Sequence, residues 1–243
     1  MNLIVMKDYK EMSRQAALLI AASIALKPNL VLGLPTGKTP LLMYKELVII
    51  YQNGFVDFTN VTTFNLDEYA GIGRDDRNSF YRYMQDNLFR HININNKNIH
   101  IPDGTARDLK EECRRYEEAI RKFGPIDLMI LGIGHNGHIG FNEPSDEFIA
   151  ETHIERLTSK TRRAYAKYFG SISKVPTKAI TMGLGTIMMS RKIILIASGR
   201  DKAEVIRRAF KGNITPKCPA SILRLHQDCT FLIDRDAASL IDK

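Results

Sequence analysis

Short apolar runs alternate with longer stretches of helical period along nearly the whole chain. The run NLIVM (2–6) predicts a strand. Residues 8–26 follow with Met12, Ala16, Leu19, Ile20 and Ile24 near one face, the spacing of an amphipathic helix. Asp8, with Glu11 three positions on, has the capping-box pattern at its start. NLVLGL (29–34) and VTTFNL (61–66) predict the next strands, with a helix from about Pro40 to Tyr51 between them. Helices are predicted over 78–89 and 108–123. IDLMILGI (126–133) is apolar almost without interruption, the mark of a strand covered on both faces. KAITMG (178–183), RKIILIAS (191–198) and CTFLI (229–233) predict further strands, with a helix over 201–210 and a short closing helix.

Strand and helix in turn, joined by short links, imply parallel pairing through right-handed crossovers. The expected fold is therefore α/β: a Rossmann-like three-layer sandwich with a mostly parallel central sheet, in one domain over residues 1–243. Residues 144–177 break the rhythm. They are polar and basic, and are expected to form a lid-like excursion above the sheet.

Composition narrows the function. The chain has 243 residues, 44% hydrophobic and 26% charged, which suits a globular enzyme-sized domain. No apolar run is long enough to cross a bilayer, and the N-terminus lacks a secretion pattern. Three cysteines without CxxC spacing argue against a disulfide framework or a cysteine-rich zinc site, so a cytoplasmic location is expected. The net charge of +8 suits either nucleic acid or an anionic small molecule. Its basic residues are scattered, with no basic tail and no aromatic interleaving, so neither a nucleic-acid nor a membrane partner is expected.

In open parallel sheets ligands collect beyond the carboxyl ends of the strands. The segments there carry the unusual chemistry. After 29–34 comes PTGKTP, where Thr36, Gly37, Lys38 and Thr39 can cradle an anion on free backbone N–H groups, or form a plain turn with Thr39 as helix cap. Gly33 precedes Gly37-Lys38-Thr39 by four positions, so the segment is not a nucleotide P-loop. SGRDK (198–202) offers Asp201 as a cap and Lys202 as a second anion contact. FNLDEYAG (64–71) places Asp67 and Glu68 after a strand, where alternation sends one carboxylate into the cleft and its neighbour away. A carboxylate in a partly apolar pocket can take a proton from carbon beside a carbonyl or imine.

LGIGHNGHIGFNEP (131–144) admits several readings. His135, His138 and Glu143 lack the helical metal spacing, so no metal is expected. Gly132-x-Gly134-x-x-Gly137 matches a dinucleotide fingerprint, but Gly140 and Pro144 forbid the long helix that fingerprint needs. An acid–base station fits better: His138 passes protons, Glu143 orients it, and Asn136 bonds a hydroxyl. His91, His100 and His153 stand in ordinary polar surroundings, His226 reads as a structural histidine, and Met188 with Met189 as core.

GLPTGKTP, NLDEYAG, LGIGHNGHIGFNEP and GRDKAE, in this order over essentially the whole chain, resemble the glucosamine-6-phosphate deaminase family. The related 6-phosphogluconolactonases share the glycine-rich turn but lack the DEY and FNEP pairing. The resemblance implies conversion of glucosamine 6-phosphate and water to fructose 6-phosphate and ammonia, in amino-sugar catabolism, without a cofactor. It implies that His138 opens the sugar ring, that Glu143 and Asn136 support it, and that Asp67 moves a proton from C2 to C1. Phosphate would lie on Gly37 to Thr39 and Lys202, with Lys167 of TRRAYAKYF closing over it. Asn136 stands where some members have aspartate, Lys38 where many have a small residue, and Lys167 where others have arginine. Asparagine is expected to orient rather than take protons, and lysine to grip phosphate as a point charge. With little sequence after the last strand, an unregulated monomer is expected. A lactonase-like hydrolase and a non-catalytic sugar-phosphate sensor are the alternatives. The sensor is disfavoured because Asp67 and His138 are both present and no helix-turn-helix extension is expected beside 1–243.

Overall fold

The alternation of side chains along the apolar strands divides the interior into two cores. In the computed structural model, which describes residues 1–241, Met129 and Leu131 enter one cluster while Leu128 and Ile130 enter another. Ile193 and Leu195 separate in the same way from Ile194 and Ile196, and Phe231 and Ile233 from Leu232. A strand buried on both faces has no room for a polar side chain, which is why 126–133 reads as continuous apolar sequence.

The chain runs β1 (Asn2–Met6), α1 (Tyr9–Leu26), β2 (Val31–Leu34), α2 (Leu41–Gln52), β3 (Thr62–Asn65), β4 (Asp67–Tyr69), α3 (Phe80–Asn87), β5 (Ile99–His100) and α4 (Leu109–Phe123). It continues through β6 (Leu128–Leu131), β7 (His153–Arg156), α5 (Ser159–Phe169), β8 (Lys178–Thr181), α6 (Leu184–Met188), β9 (Lys192–Ala197), α7 (Ala203–Lys211), β10 (Cys229–Asp234) and α8 (Arg235–Ala238). The central sheet has seven strands in the order β1-β10-β9-β6-β2-β3-β5, paired in parallel. Helices α1 and α2 cover one face through Met12, Ala16, Ile20, Met43, Tyr44 and Leu47. Helices α4 and α7 cover the other through Tyr116, Ile120, Val205, Ile206 and Ala209. The expected three-layer α/β architecture is present.

From β2 the chain steps outward to β3 and β5, then returns to β6 and proceeds the other way to β9 and β10. The reversal between β2 and β6 is the topological switch point, where an open sheet leaves a crevice at its carboxyl edge. The four loops picked out from the sequence follow β9, β6, β2 and β3, which are neighbours in that order.

Three features differ from the sequence reading. KAIT is a strand, but it belongs to a second, antiparallel sheet, β4-β8-β7, rather than to the parallel one. The excursion over 144–177 contains β7 and the eleven-residue α5, not irregular chain alone. Met189 is 67% exposed rather than core, because α6 ends at Met188 and turns it outward. His226 is the buried structural histidine expected, with Nε2 2.7 Å from the Ser190 carbonyl. Asp8 caps α1 by accepting from the Glu11 N–H at 2.9 Å. Among the described residues, no helix is long and apolar enough to cross a membrane.

The excursion is rooted on α4. Glu117 is buried and accepts from the Thr152 N–H (3.0 Å), the Thr152 hydroxyl (2.7 Å) and the Thr186 hydroxyl (2.7 Å). Removing that acceptor strands buried donors. Glu117→Ala is expected to cost about 2–4 kcal/mol, measured as the shift of the urea unfolding midpoint at constant slope.

Candidate active site

The turn after β2 has its carbonyls tied and its amides free. The Tyr44 hydroxyl donates to the Pro35 carbonyl (2.5 Å), that of Tyr83 to Gly37 (2.6 Å), and that of Tyr9 to Thr39 (3.0 Å). Among the described residues, none accepts from the N–H groups of Thr36, Gly37, Lys38 or Thr39. Thr39 does not cap α2: the helix starts after Pro40 with no side-chain cap. A row of free amides at a helix start is a ready anion cradle.

One lysine belongs to it, a second approaches it from α5, and a third stands at the neighbouring β6 loop. Lys38 and Lys167 come within hydrogen-bonding reach of each other, one from the turn and one from α5. That contact, before any other cause, raises the Lys38 pKa and lowers that of Lys167. Two amines pressed together without an intervening carboxylate suit an anion between them. Lys202 lies beneath the β6 loop, where Nζ donates to the Ile133 carbonyl at 2.8 Å. Burial lowers its pKa, and no described carboxylate forms an ion pair with it. Asp201 does not cap α7 as expected; its carboxylate stands 3.6 Å from His135 Nε2.

Asp67 and Glu68 diverge as strand alternation requires. Glu68 turns to the start of α3 and accepts from the N–H groups of Tyr69 (2.9 Å), Phe80 (3.1 Å) and Tyr81 (3.1 Å). Burial pushes its pKa to about 7, against the pull of those donors. Asp67 points the other way and is 5% exposed. It accepts no hydrogen bond from a described residue. Burial, then the Glu68 charge, holds its pKa well above the usual carboxylate range.

The glycines of the β6 loop give room to the side chains around them. A Cβ on Gly134 would stand 2.2 Å from His138 Nε2, so only glycine lets the imidazole occupy its place. Gly140 has φ +55°, and a Cβ there would lie 3.4 Å from Asp67 Oδ2. The backbone two residues past His138 thus runs close by the Asp67 carboxylate, with room for little more than hydrogen between them. The contact is reinforced where the Phe141 N–H donates to Thr181 Oγ1 at 3.0 Å, Thr181 being the cross-strand partner of Asp67.

Glu143 ties this loop to the start of α5. Its Oε2 accepts from Asn136 Nδ2 (2.6 Å) and stands 3.7 Å from His138 Nδ1. Its Oε1 accepts from the Thr158 N–H (3.1 Å) and hydroxyl (3.2 Å). Burial alone would raise the Glu143 pKa, but His138, then Thr161 and the Thr158 N–H, outweigh it and hold the carboxyl at about 2. Asn136 is an orienting group, as its chemistry requires: its Oδ1 accepts from the His138 N–H at 3.2 Å.

The structure therefore gathers Asp67, Asn136, His138 and Glu143 round the Gly140 backbone, and sets Lys38, Lys167 and Lys202 beside the β2 and β6 loops. Sequence reading missed Thr158 and Thr161. Their signal was a threonine N-cap ahead of TRRAYAKYF: Thr158 caps α5 by accepting from the Thr161 N–H.

A sequence model described as "Glucosamine-6-phosphate isomerases/6-phosphogluconolactonase" matches residues 7–232. The chain is 55% identical to a glucosamine-6-phosphate deaminase of Thermoanaerobacter sp. (strain X514), over 99% of this chain and 95% of that one. It is 52% identical to one of Clostridium novyi (strain NT), over 98% and 99%. The solved structure of a monomeric glucosamine-6-phosphate deaminase superposes with a TM-score of 0.96 at 49% identity, covering 99% of this chain and 100% of that one. The 6-phosphogluconolactonase of Trypanosoma brucei shares the fold, with a TM-score of 0.75 at 20% identity over 98% and 97% of the two chains.

The raised pKa of Asp67 has a stability consequence. What the group contributes is present in full below its unfolded value of 3.8 and is lost as pH rises through the higher folded value. Asp67→Asn is therefore expected to be more stable than the parent at pH 7, with the gap closing towards pH 4, as read by urea unfolding at both pH values.

Proposed function

The chain belongs to the family of glucosamine-6-phosphate isomerases and 6-phosphogluconolactonases, and we propose that it converts glucosamine 6-phosphate and water to fructose 6-phosphate and ammonia, in amino-sugar catabolism. The observation that carries this reading over a lactonase is Asp67: a buried, basic carboxylate with no protein donor, set beside an imidazole–carboxylate pair. Lactone hydrolysis needs no carbon-bound proton to move. Aldose–ketose isomerisation needs a base that reaches two adjacent carbons.

His138 takes the proton of the anomeric hydroxyl and returns it to the ring oxygen, opening the pyranose. Glu143, ionised over the whole working range, stabilises the imidazolium, and Asn136 fixes the geometry of both. Asp67 then removes the C2 proton and delivers it to C1 through an enolamine. The small motion between neighbouring carbons suits a carboxylate held by packing. Water completes the loss of ammonia from C2. The phosphate lies on the amides of Thr36 to Thr39, with Lys38, Lys167 and Lys202 as counter-charges. Residues 144–177 act as the lid of a single domain over 1–243. The protein works as a cytoplasmic monomer, with no nucleic-acid or membrane partner and no added metal or cofactor.

The purified protein is expected to release ammonia from glucosamine 6-phosphate without added metal, and Asp67→Asn to lower kcat by about 10²–10⁴-fold. With substrate deuterated at C2, the label should leave C2 and appear at C1 or in the solvent, according to how far Asp67 exchanges before returning it; retention of the deuterium at C2 points to the lactonase chemistry instead. Lys167→Ala is expected to raise KM about tenfold or more while changing kcat little, since it removes one charge-assisted phosphate contact.

A further inference from the structure

We propose that Tyr165, on the lid helix, is a further catalytic residue: its phenol donates a hydrogen bond to the substrate oxygen on C1 as negative charge gathers there. This deepens the deamination reading and rests on it.

Helix α5 carries Tyr165 two positions before Lys167. Its ring packs edge-on against Tyr69, with centroids 6.2 Å apart at 83°, and against Phe141, at 6.0 Å and 72°. Tyr69 follows Asp67 by two residues on β4, and Phe141 precedes Glu143 by two. The ring is thus wedged between the strand that bears the base and the loop that bears the relay. Its hydroxyl bonds to no described residue and is not sealed from solvent, while the Tyr69 hydroxyl, buried in the same aromatic cluster, is without a partner. A phenol that spends its hydrogen on no protein group, on a ring set between the base strand and the relay loop, is free to give it to a ligand oxygen.

Burial, then the fields of Asp67, Tyr168 and Glu143, keeps the Tyr165 phenol in its neutral, proton-bearing form. A neutral donor is what the step requires. When Asp67 takes the C2 proton of the open-chain sugar, the electron pair of the C2–H bond enters the C1–C2 bond and charge moves onto the C1 oxygen. An O–H carried on a ring packed between the base strand and the relay loop meets that oxygen without giving up its proton. The interaction strengthens as the charge develops, so it acts on kcat rather than on binding.

Tyr165→Phe keeps the packing ring and removes only the donor. Its kcat for ammonia release is expected to fall about 10–100-fold with KM within about threefold and an unchanged unfolding midpoint. The isotope effect with substrate deuterated at C2 should exceed that of the parent, because proton transfer becomes more rate-limiting. A variant with the parent's kcat and isotope effect overturns the proposal, whether or not its KM rises, and makes Tyr165 a packing residue of the lid. A parent enzyme that releases no ammonia overturns the deamination reading, and the role of the hydroxyl with it.

Discussion

The inner strands β2, β6 and β9 of the central sheet are apolar on both faces, and this constraint shapes everything else in the molecule. Strands such as β6 and β9 send alternate side chains into two separate cores, so neither face can host a charged or hydrogen-bonding site. Polar chemistry is driven to the carboxyl edge, where the strands stop. Because the chain reverses direction between β2 and β6, the loops at that edge part and leave a crevice. The segments with candidate chemistry, Asp67 at the start of β4 among them, directly follow four adjacent strands.

Within that crevice, environment gives two carboxyl groups opposite roles. Asp67 is enclosed by apolar chain and a neighbouring carboxylate, and its proton affinity is raised. Glu143 faces an imidazole, an amide and the N-terminus of α5, and its affinity is lowered to about 2 despite burial. Separating two acidic groups by surroundings is the usual way a fold obtains a base and a permanent anion from one kind of side chain. Glu68 plays a third part, since it caps α3 and so fixes the strand on which Asp67 stands.

Much of this was legible because strand alternation and loop chemistry are local. The separation of Asp67 from Glu68 followed from a period of two, and the supporting role of Asn136 from the inability of an amide to accept a proton. What escaped depended on pairing at a distance. KAIT is as apolar as the parallel strands, and nothing in four residues states that its neighbours will be β4 and β7 running against it. Helix α5 buries only Thr161 and Phe169, so its apolar period is too thin to stand out from a basic surface segment. Its true signal was the threonine cap. The two-residue β5 is set by its pairing with β3 rather than by its own residues. Thr39 looked like a cap because it precedes Pro40, yet the tyrosines that tie the turn carbonyls come from α1, α2 and α3.

The contact between Glu143 and Thr158 joins access to reactivity. One oxygen of that carboxylate is held from the loop below, the other by the first residues of the helix above. On the proposed reading of α5 as a lid, lifting it to admit a sugar would take away both Thr158 donors and free the carboxylate to leave its place beside the imidazole. The open form would then hold a misplaced relay, and closing would set it right in the same stroke that shuts out bulk solvent. Reactive open-chain intermediates would then be generated only behind a closed door.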